Sequence, residues 1–301
     1  MHKTCIIIAG PTAVGKTSLA IQLASALNTQ IISADSRQCY KELNIAVAKP
    51  SMQELAQVHH YFINSHSIDQ HVSAADFEVY ALDSIETIFQ KSDVAVMVGG
   101  TGLYIKAFCE GLDTIPPIAE HVRQQISDDY RLHGITWLQE KLKNEDPDYY
   151  VQGEMLNPQR MMRALEVKRS AGQSITSYQR RTKKDRSFRM LKIGLELPRP
   201  LLYERINTRV DDMMKAGLED EAKDLLKYKD LNALQTVGYK EMFRFFDGEL
   251  SREEATSLLK QNTRHYAKRQ LTWFKKDEEI HWVNAQAPSI LETIQYLLQV
   301  R

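Results

Sequence analysis

The run Gly10-Pro11-Thr12-Ala13-Val14-Gly15-Lys16-Thr17 lies between an apolar stretch, Thr4 to Ala9, and a helix-like segment beginning at Ser18. A G-x-x-x-x-G-K-[ST] loop between strand and helix constrains the fold more than any other feature of the chain, because it sits at the rim of a parallel sheet. The reason is mechanical. The glycines let successive backbone N–H groups turn inward around a diphosphate at a helix N-terminus, Lys16 adds a point charge, and the Thr17 hydroxyl can hold Mg²⁺. Gly10 to Thr17 are therefore the candidate diphosphate-binding residues, and Thr17 is the candidate metal ligand. The loop leaves its ligand open, since nucleotide kinases, motor ATPases and enzymes that merely expel pyrophosphate share the same cradle.

Short apolar runs at Ile6–Ala9, Gln30–Ala34, Val94–Val98 and Met190–Leu197, with a fifth at Ile280–Val283, alternate with helical patterns. That alternation predicts an α/β fold, a P-loop NTPase-like parallel sheet flanked by helices with ligands at the carboxyl ends of its strands. Between Gly111 and about Lys192 the strand signal gives way to helical periodicity after the stiff Ile115-Pro116-Pro117. The expected organisation is a core of residues 1–111 and 192–301 with an all-helical insertion domain over 112–191.

Lys+Arg and Asp+Glu both total 39, so any electrostatic case for a nucleic-acid partner has to be local. The insertion supplies one. Glu110 to Glu154 holds ten acids against four Lys+Arg, whereas Arg160 to Lys192 holds eleven Lys+Arg against only Glu166 and Asp185. Arg264, Lys268, Arg269, Lys275 and Lys276 form a second basic cluster. One such run alone reads equally well as a solvated face, but two beside a phosphate loop favour nucleic acid. Cys5, Cys39 and Cys109 are scattered without a C-x-x-C pair, as in a reduced protein without a zinc module. No signal-like segment precedes the first strand and no apolar run approaches the roughly 20 residues that span a bilayer, so a cytoplasmic protein is expected.

An NTP-hydrolysing protein normally ends a later strand in an acid that helps hold Mg²⁺. Here Val94–Val98 ends in Gly99-Gly100-Thr101-Gly102, which offers a hydroxyl and no carboxylate and also reads as a plain tight turn. The available carboxylate is Asp35, at the tip of the second strand in Ala34-Asp35-Ser36-Arg37-Gln38. It can serve as a base, as a partner of magnesium-bound water, or as a helix cap.

These segments, together with Gly102-Leu103-Tyr104, Asn157-Pro158-Gln159-Arg160-Met161-Met162-Arg163, Val237-Gly238-Tyr239-Lys240-Glu241 and Ala267-Lys268-Arg269-Gln270, resemble the bacterial tRNA dimethylallyltransferases from the first strand to about Phe274. The resemblance implies transfer of the five-carbon group of dimethylallyl diphosphate to N6 of the adenine at position 37 of tRNA, with release of pyrophosphate. It implies that Lys16, Thr17 and the loop amides hold the diphosphate with Mg²⁺ and that Asp35 accepts the proton of the attacking amine. Thr101 is expected beside the isoprenoid and the adenine. An arginine in Tyr203 to Val210 is expected on the leaving pyrophosphate, Arg209 in the first place, with Arg205 one helical turn away able to share the task. An adenine stacked in an anticodon loop has to be flipped to reach such a site. By resemblance Asp35, Ser36, Arg37 and Gln38 read the flipped base and its neighbours, Gln159, Arg160, Met161, Met162 and Arg163 grip the anticodon stem-loop, Gln235, Gly238 and Lys240 add contacts, and Arg123 touches the RNA; Met161 and Met162 read equally well as helix core. The basic run Arg180 to Arg189 is expected to bind backbone phosphates, and the protein is expected to act as a monomer.

The chain departs from the family at one motif, usually Asp-Ile-Gly-Thr-Ala-Lys-Pro, which here is Asn44-Ile45-Ala46-Val47-Ala48-Lys49-Pro50. The pair His59-His60 lacks an acid or cysteine at ligand spacing and reads as structural. Two other readings remain open: a kinase or prenyltransferase acting on a free nucleotide, for which the basic insertion is needless, and a non-catalytic RNA-binding protein.

Overall fold

The computed structural model describes residues 3–179 and 182–299. The chain divides into two compact units, one running through Cys109 and resuming at Asp185, the other Glu110–Lys184.

In the first unit the opening strand β1 (Thr4–Ala9) runs into α1 (Lys16–Ala26) and β2 (Ile31–Ala34). Then come α2 (Met52–Gln57), β3 (His60–Tyr61), α3 (Ala74–Phe89), β4 (Val94–Gly99) and α4 (Gly102–Glu110). All six strands of this unit's sheet are parallel, in the order β3-β2-β4-β1-β5-β6 once the later strands are added. β1 is central, with Ile6 opposite Val96 of β4 on one side and Leu191 in the returning chain on the other. Its alternate residues feed different cores: Cys5, Ile7 and Ala9 pack on one face, Ile6 and Ile8 on the other. A strand covered on both faces has no polar side to show, which is why these runs read as continuously apolar.

Among the described residues of the second unit the regular elements are all helices: α5 (Glu120–Glu145), interrupted at Gly134, then α6 (Pro147–Gln152), α7 (Pro158–Ala171) and α8 (Ile175–Tyr178). Asn157 caps α7 by accepting the Arg160 N–H at 3.3 Å, Pro158 opens the first turn, and Gly172 ends the helix at φ 72°. Ile126, Leu138 and Leu142 of α5 pack with Met161, Ala164 and Leu165 of α7.

The first unit resumes with β5 (Arg189–Glu196), α9 (Arg199–Lys215), α10 (Leu218–Asp224), α11 (Tyr239–Phe246), α12 (Arg252–Phe274), β6 (His281–Asn284) and α13 (Ile290–Gln299). The helical unit thus ends at Lys184, short of the 191 read from periodicity, because residues 185–191 already belong to the sheet unit. The two-residue strand β3 carries no pattern of its own and was not expected from the sequence.

Much of the basic run is spent on structure. The Arg186 guanidinium, nearly buried, donates to Glu78 at 2.9 Å and to the carbonyls of Ala107 and Phe108. Arg189 donates to the Leu297 and Leu298 carbonyls at 3.0 and 3.1 Å. Lys192 lies inside β5 between Asp277 and Glu279, both at 2.8 Å; burial alone lowers its pKa, but the two carboxylates hold it above the usual lysine value. In the helical unit Lys183 pairs with Glu110 at 3.1 Å, and Arg169 makes a two-pronged pair with Glu145. The expected phosphate-binding run is therefore corrected at Arg186 and Arg189, whose donors are already engaged; Arg180 and Arg181 lie outside the described residues. Removing one partner of a buried pair strands the other charge, so Arg186→Met is expected to cost about 3–5 kcal/mol in urea unfolding. A loss below about 1 kcal/mol would place that pair in water rather than in the core.

Candidate active site

The phosphate loop emerges from β1 and closes at Gly15, which caps α1 at φ 108°, a conformation that disfavours any side chain. Ala13 also lies in the left-handed region, at φ 63°. Ala13 and Val14 sink their side chains into the core beneath α1, so this part of the loop offers the cavity mainly backbone. Lys16 folds back onto its own loop, donating to the Pro11 carbonyl at 2.6 Å.

Two arginines of α9 brace the loop from outside. Arg205 donates to the Val14 carbonyl and Arg209 to the Thr12 hydroxyl, each at 3.4 Å. Only Arg209 lines the cavity, which separates the roles of two residues that sequence spacing left shared.

That cavity, of about 210 Å³, is bounded by the loop, Lys16, Thr17, Asp35, Arg209, Gly99 and Gly100, with Tyr266 and Gln270 of α12 closing it. Val47, Ala48, Pro50, Ile63 and Val98 give it an apolar wall. Burial, then the positive charge of Arg209, pushes Lys16 down to about 7, with Asp35 pulling it partly back. The Tyr266 hydroxyl is pushed up to about 12 by burial and by Asp35. Asp35 Oδ1 accepts the backbone N–H groups of Arg37 and Gln38 at 2.9 and 3.2 Å, while Oδ2 has no hydrogen bond among the described residues. The carboxylate is thus both cap and candidate base. Thr101 stands at the turn after β4, and its hydroxyl accepts the Ser36 N–H at 3.1 Å. Gly99 precedes it because a Cβ there would lie 2.1 Å from the Ala34 carbonyl.

The residues expected at the RNA divide into two groups. Arg37, half-exposed, donates to the Asn232 carbonyl at 2.9 Å, and Gln235 and Lys240 are exposed. Gln38 is spent: its amide donates to the carbonyls of Val47 and Ala48 at 3.2 and 3.1 Å and accepts from Ser33, so it braces the apolar wall. Gly238 is buried, and a Cβ there would come 2.9 Å from that of Ala46, so it serves close packing rather than an open contact. In the helical unit Gln159 and Arg160 are exposed, while Arg123, Met162 and Arg163 are half-buried. Arg123, Arg160 and Arg163 pair with Glu120, Glu154 and Glu166. Met161 is 0 % exposed, which corrects it from contact to core.

The Ala46-Val47 departure sits where Glu221 of α10 gathers the N–H groups of Asn44, Ile45 and Ala46 and the Tyr239 hydroxyl, at 2.7 to 3.2 Å. Glu221 and Gln270 were not foreseen as site residues. Gln270 stood within a quoted motif, but nothing in its spacing showed that it reaches the loop. His60 is buried with Nδ1 on the Val58 carbonyl at 2.8 Å, and burial lowers its pKa. Among the described residues no group of three or more His, Cys, Asp or Glu side chains could hold a metal, and no helix is long and apolar enough to cross a membrane.

The family model described as IPP transferase matches residues 38–277. A protein of Christiangramia forsetii named tRNA dimethylallyltransferase is 49% identical over 94% of this chain and 93% of its own length. One of the same name from Cytophaga hutchinsonii is 46% identical over the same shares. The crystal structure of the tRNA isopentenylpyrophosphate transferase of Bacillus halodurans superposes with a TM-score of 0.73 at 34% identity, covering 98% of this chain and 95% of that one. A eukaryotic dimethylallyltransferase described as acting on tRNA gives 0.77 at 26% identity, covering 99% of this chain and 78% of its own. With a phosphate loop, a carboxylate and an apolar wall in one cavity, and a family model spanning most of its length, the chain belongs to the IPP transferase family.

Proposed function

We propose that this protein transfers the dimethylallyl group of dimethylallyl diphosphate to N6 of the adenine at position 37 of tRNA, releasing pyrophosphate. The observation that carries this reading is one cavity with a diphosphate cradle, a carboxylate whose Oδ2 has no hydrogen bond among the described residues, and an apolar wall. A kinase site needs no such wall beside its phosphates.

The bond that forms joins N6 to the first carbon of the isoprenoid, and the bond that breaks is that carbon's link to the diphosphate oxygen, which departs with the electron pair. An exocyclic adenine amine is a poor nucleophile because its lone pair is delocalised into the ring. Asp35, held by two backbone N–H groups, takes the amine proton on its open Oδ2, and a base so placed contributes roughly 10²- to 10⁴-fold. Lys16 and Arg209 receive the charge that builds on the leaving group. Thr17 lies in the first turn of α1 and its hydroxyl has no hydrogen bond among the described residues, so this hard oxygen would suit Mg²⁺. An ion held there would supply positive charge against the departing pyrophosphate. Gln159 and Arg160 stand exposed in the first turn of α7, where a phosphate would compete with Glu154 for the Arg160 guanidinium.

Labelled dimethylallyl diphosphate with Mg²⁺ and either unmodified tRNA or free AMP tests the reading. Label is expected in tRNA; label in AMP alone would assign a free-nucleotide enzyme, and tight tRNA binding without transfer a non-catalytic binder. Asp35→Ala is expected to lower transfer at least about 10²-fold while tRNA affinity stays within about threefold.

Lys16 provides a linkage test. In the free protein it loses its proton near pH 7, and a bound anion restores the charge, so its share of pyrophosphate affinity is complete below about 7 and falls as pH rises through that value. Calorimetry at about pH 8 in buffers of different ionisation enthalpy is expected to show uptake of close to one more proton in wild type than in Lys16→Met. Equal uptake in the two would mean that Lys16 is charged in the free protein.

A further inference from the structure

One side chain of α12 reaches both loops of the cavity. Gln270 is 6 % exposed; its Oε1 accepts the Thr12 N–H at 2.8 Å and its Nε2 donates to the Gly100 carbonyl at 2.9 Å. Thr12 belongs to the phosphate loop and takes a hydrogen bond from Arg209 on its hydroxyl. Gly100 precedes Thr101, whose hydroxyl holds the backbone of Ser36 next to Asp35. A single carboxamide therefore ties the loop that would hold the leaving group to the turn that flanks the candidate base.

The sheet does not supply this tie. β1 and β4 are paired up to Ile8 and Val98, and both loops begin beyond that last pair. A Cβ on Gly100 would lie 2.2 Å from Gln270 Nε2, so the glycine leaves room for the amide to close on the carbonyl. The chemistry of the two ends is equally restrictive. Thr12 N–H needs an acceptor and Gly100 C=O needs a donor, and a planar carboxamide carries one of each; lysine has no acceptor, and an ionised glutamate has no donor.

We infer that Gln270 is a positioning residue that fixes the spacing between the phosphate loop and the Gly100-Thr101 turn, and so aligns nucleophile and leaving group. The substrates named for this alignment rest on the proposed function, whereas the clamp itself acts on the loop whatever the acceptor. Its effect falls on geometry more than on binding, and displacements of about 1 Å in such a site cost on the order of 10²-fold in rate.

Gln270→Leu and Gln270→Glu test it. Single-turnover transfer with donor and tRNA saturating is expected to fall about 100-fold in Gln270→Leu. Pyrophosphate affinity should fall about tenfold as the loop loses its pre-organisation, and tRNA affinity should stay within about threefold. Gln270→Glu separates positioning from packing. Ionised, it cannot donate to Gly100; protonated, it again offers one donor and one acceptor. Burial, with Asp35 in the same cavity, favours the protonated form, while Lys16 and Arg209 oppose it. Its pyrophosphate affinity and rate, each divided by those of wild type, should therefore recover as pH falls from about 8 to about 6. The inference is overturned if Gln270→Leu, folded by its melting curve, keeps both within about threefold of wild type, or if the Gln270→Glu profiles run parallel to those of wild type. Wild type that binds pyrophosphate in a Lys16-dependent way yet transfers nothing to tRNA would sink the proposed function, and the pyrophosphate series would still decide the clamp.

Discussion

A phosphate loop cannot hold its own shape. Its use is to leave backbone groups free for an anion, so the hydrogen bonds that rigidify it come from side chains, most of them outside the loop. Here they come from three helices' worth of chain: Lys16 from the start of α1 closes on Pro11, Arg205 and Arg209 from α9 hold Val14 and Thr12, and Gln270 from α12 holds Thr12. The left-handed Ala13 is the residue that pays for this arrangement in backbone strain. Everything else in the site is placed relative to that braced loop.

The rim opposite is built on the same logic of shared backbone partners. Asp35 caps the turn that follows β2 with one oxygen and leaves the other without a hydrogen bond among the described residues. Gln38 spends its amide on the Val47 and Ala48 carbonyls, and Glu221 gathers three consecutive N–H groups of the preceding residues. The apolar wall is thus suspended from polar side chains, which give several backbone groups of an irregular segment partners beside a cavity. Ala46, where the family usually has glycine, is accommodated because Gly238 has no side chain to oppose it.

Charge illustrates how far composition can mislead. Eleven Lys+Arg between Arg160 and Lys192 favoured a nucleic-acid partner, with Arg180 to Arg189 expected on backbone phosphates. Folded, Arg186 is locked to Glu78, Arg189 to two helix-end carbonyls and Lys192 to two acids, partners up to more than a hundred residues away in sequence. Such pairings leave no local trace, since a buried arginine and a solvated one look alike in a sequence. Met161 is the apolar counterpart: its motif left it between RNA contact and helix core, and the packing of α7 on α5 placed it in the core.

The strand-loop-helix start of the chain, the alternation of apolar runs and helices, and the change to pure helical periodicity near Gly111 were legible because they rest on local chemistry: backbone freedom at glycine, period, and burial on both sheet faces. The ordered motifs likewise brought Lys16, Asp35, Thr101 and Arg209 into view. Which of two arginines enters the cavity, that Gln38 and Gly238 face inward, and that Gln270 joins two loops were settled only by tertiary structure. Each depends on a contact between segments far apart in the chain, with Gln270 lying 258 residues from its partner Thr12. The sequence determined what chemistry was present; the fold decided which groups line the cavity, because a side chain packed into the core or tied to a distant segment cannot reach a ligand there.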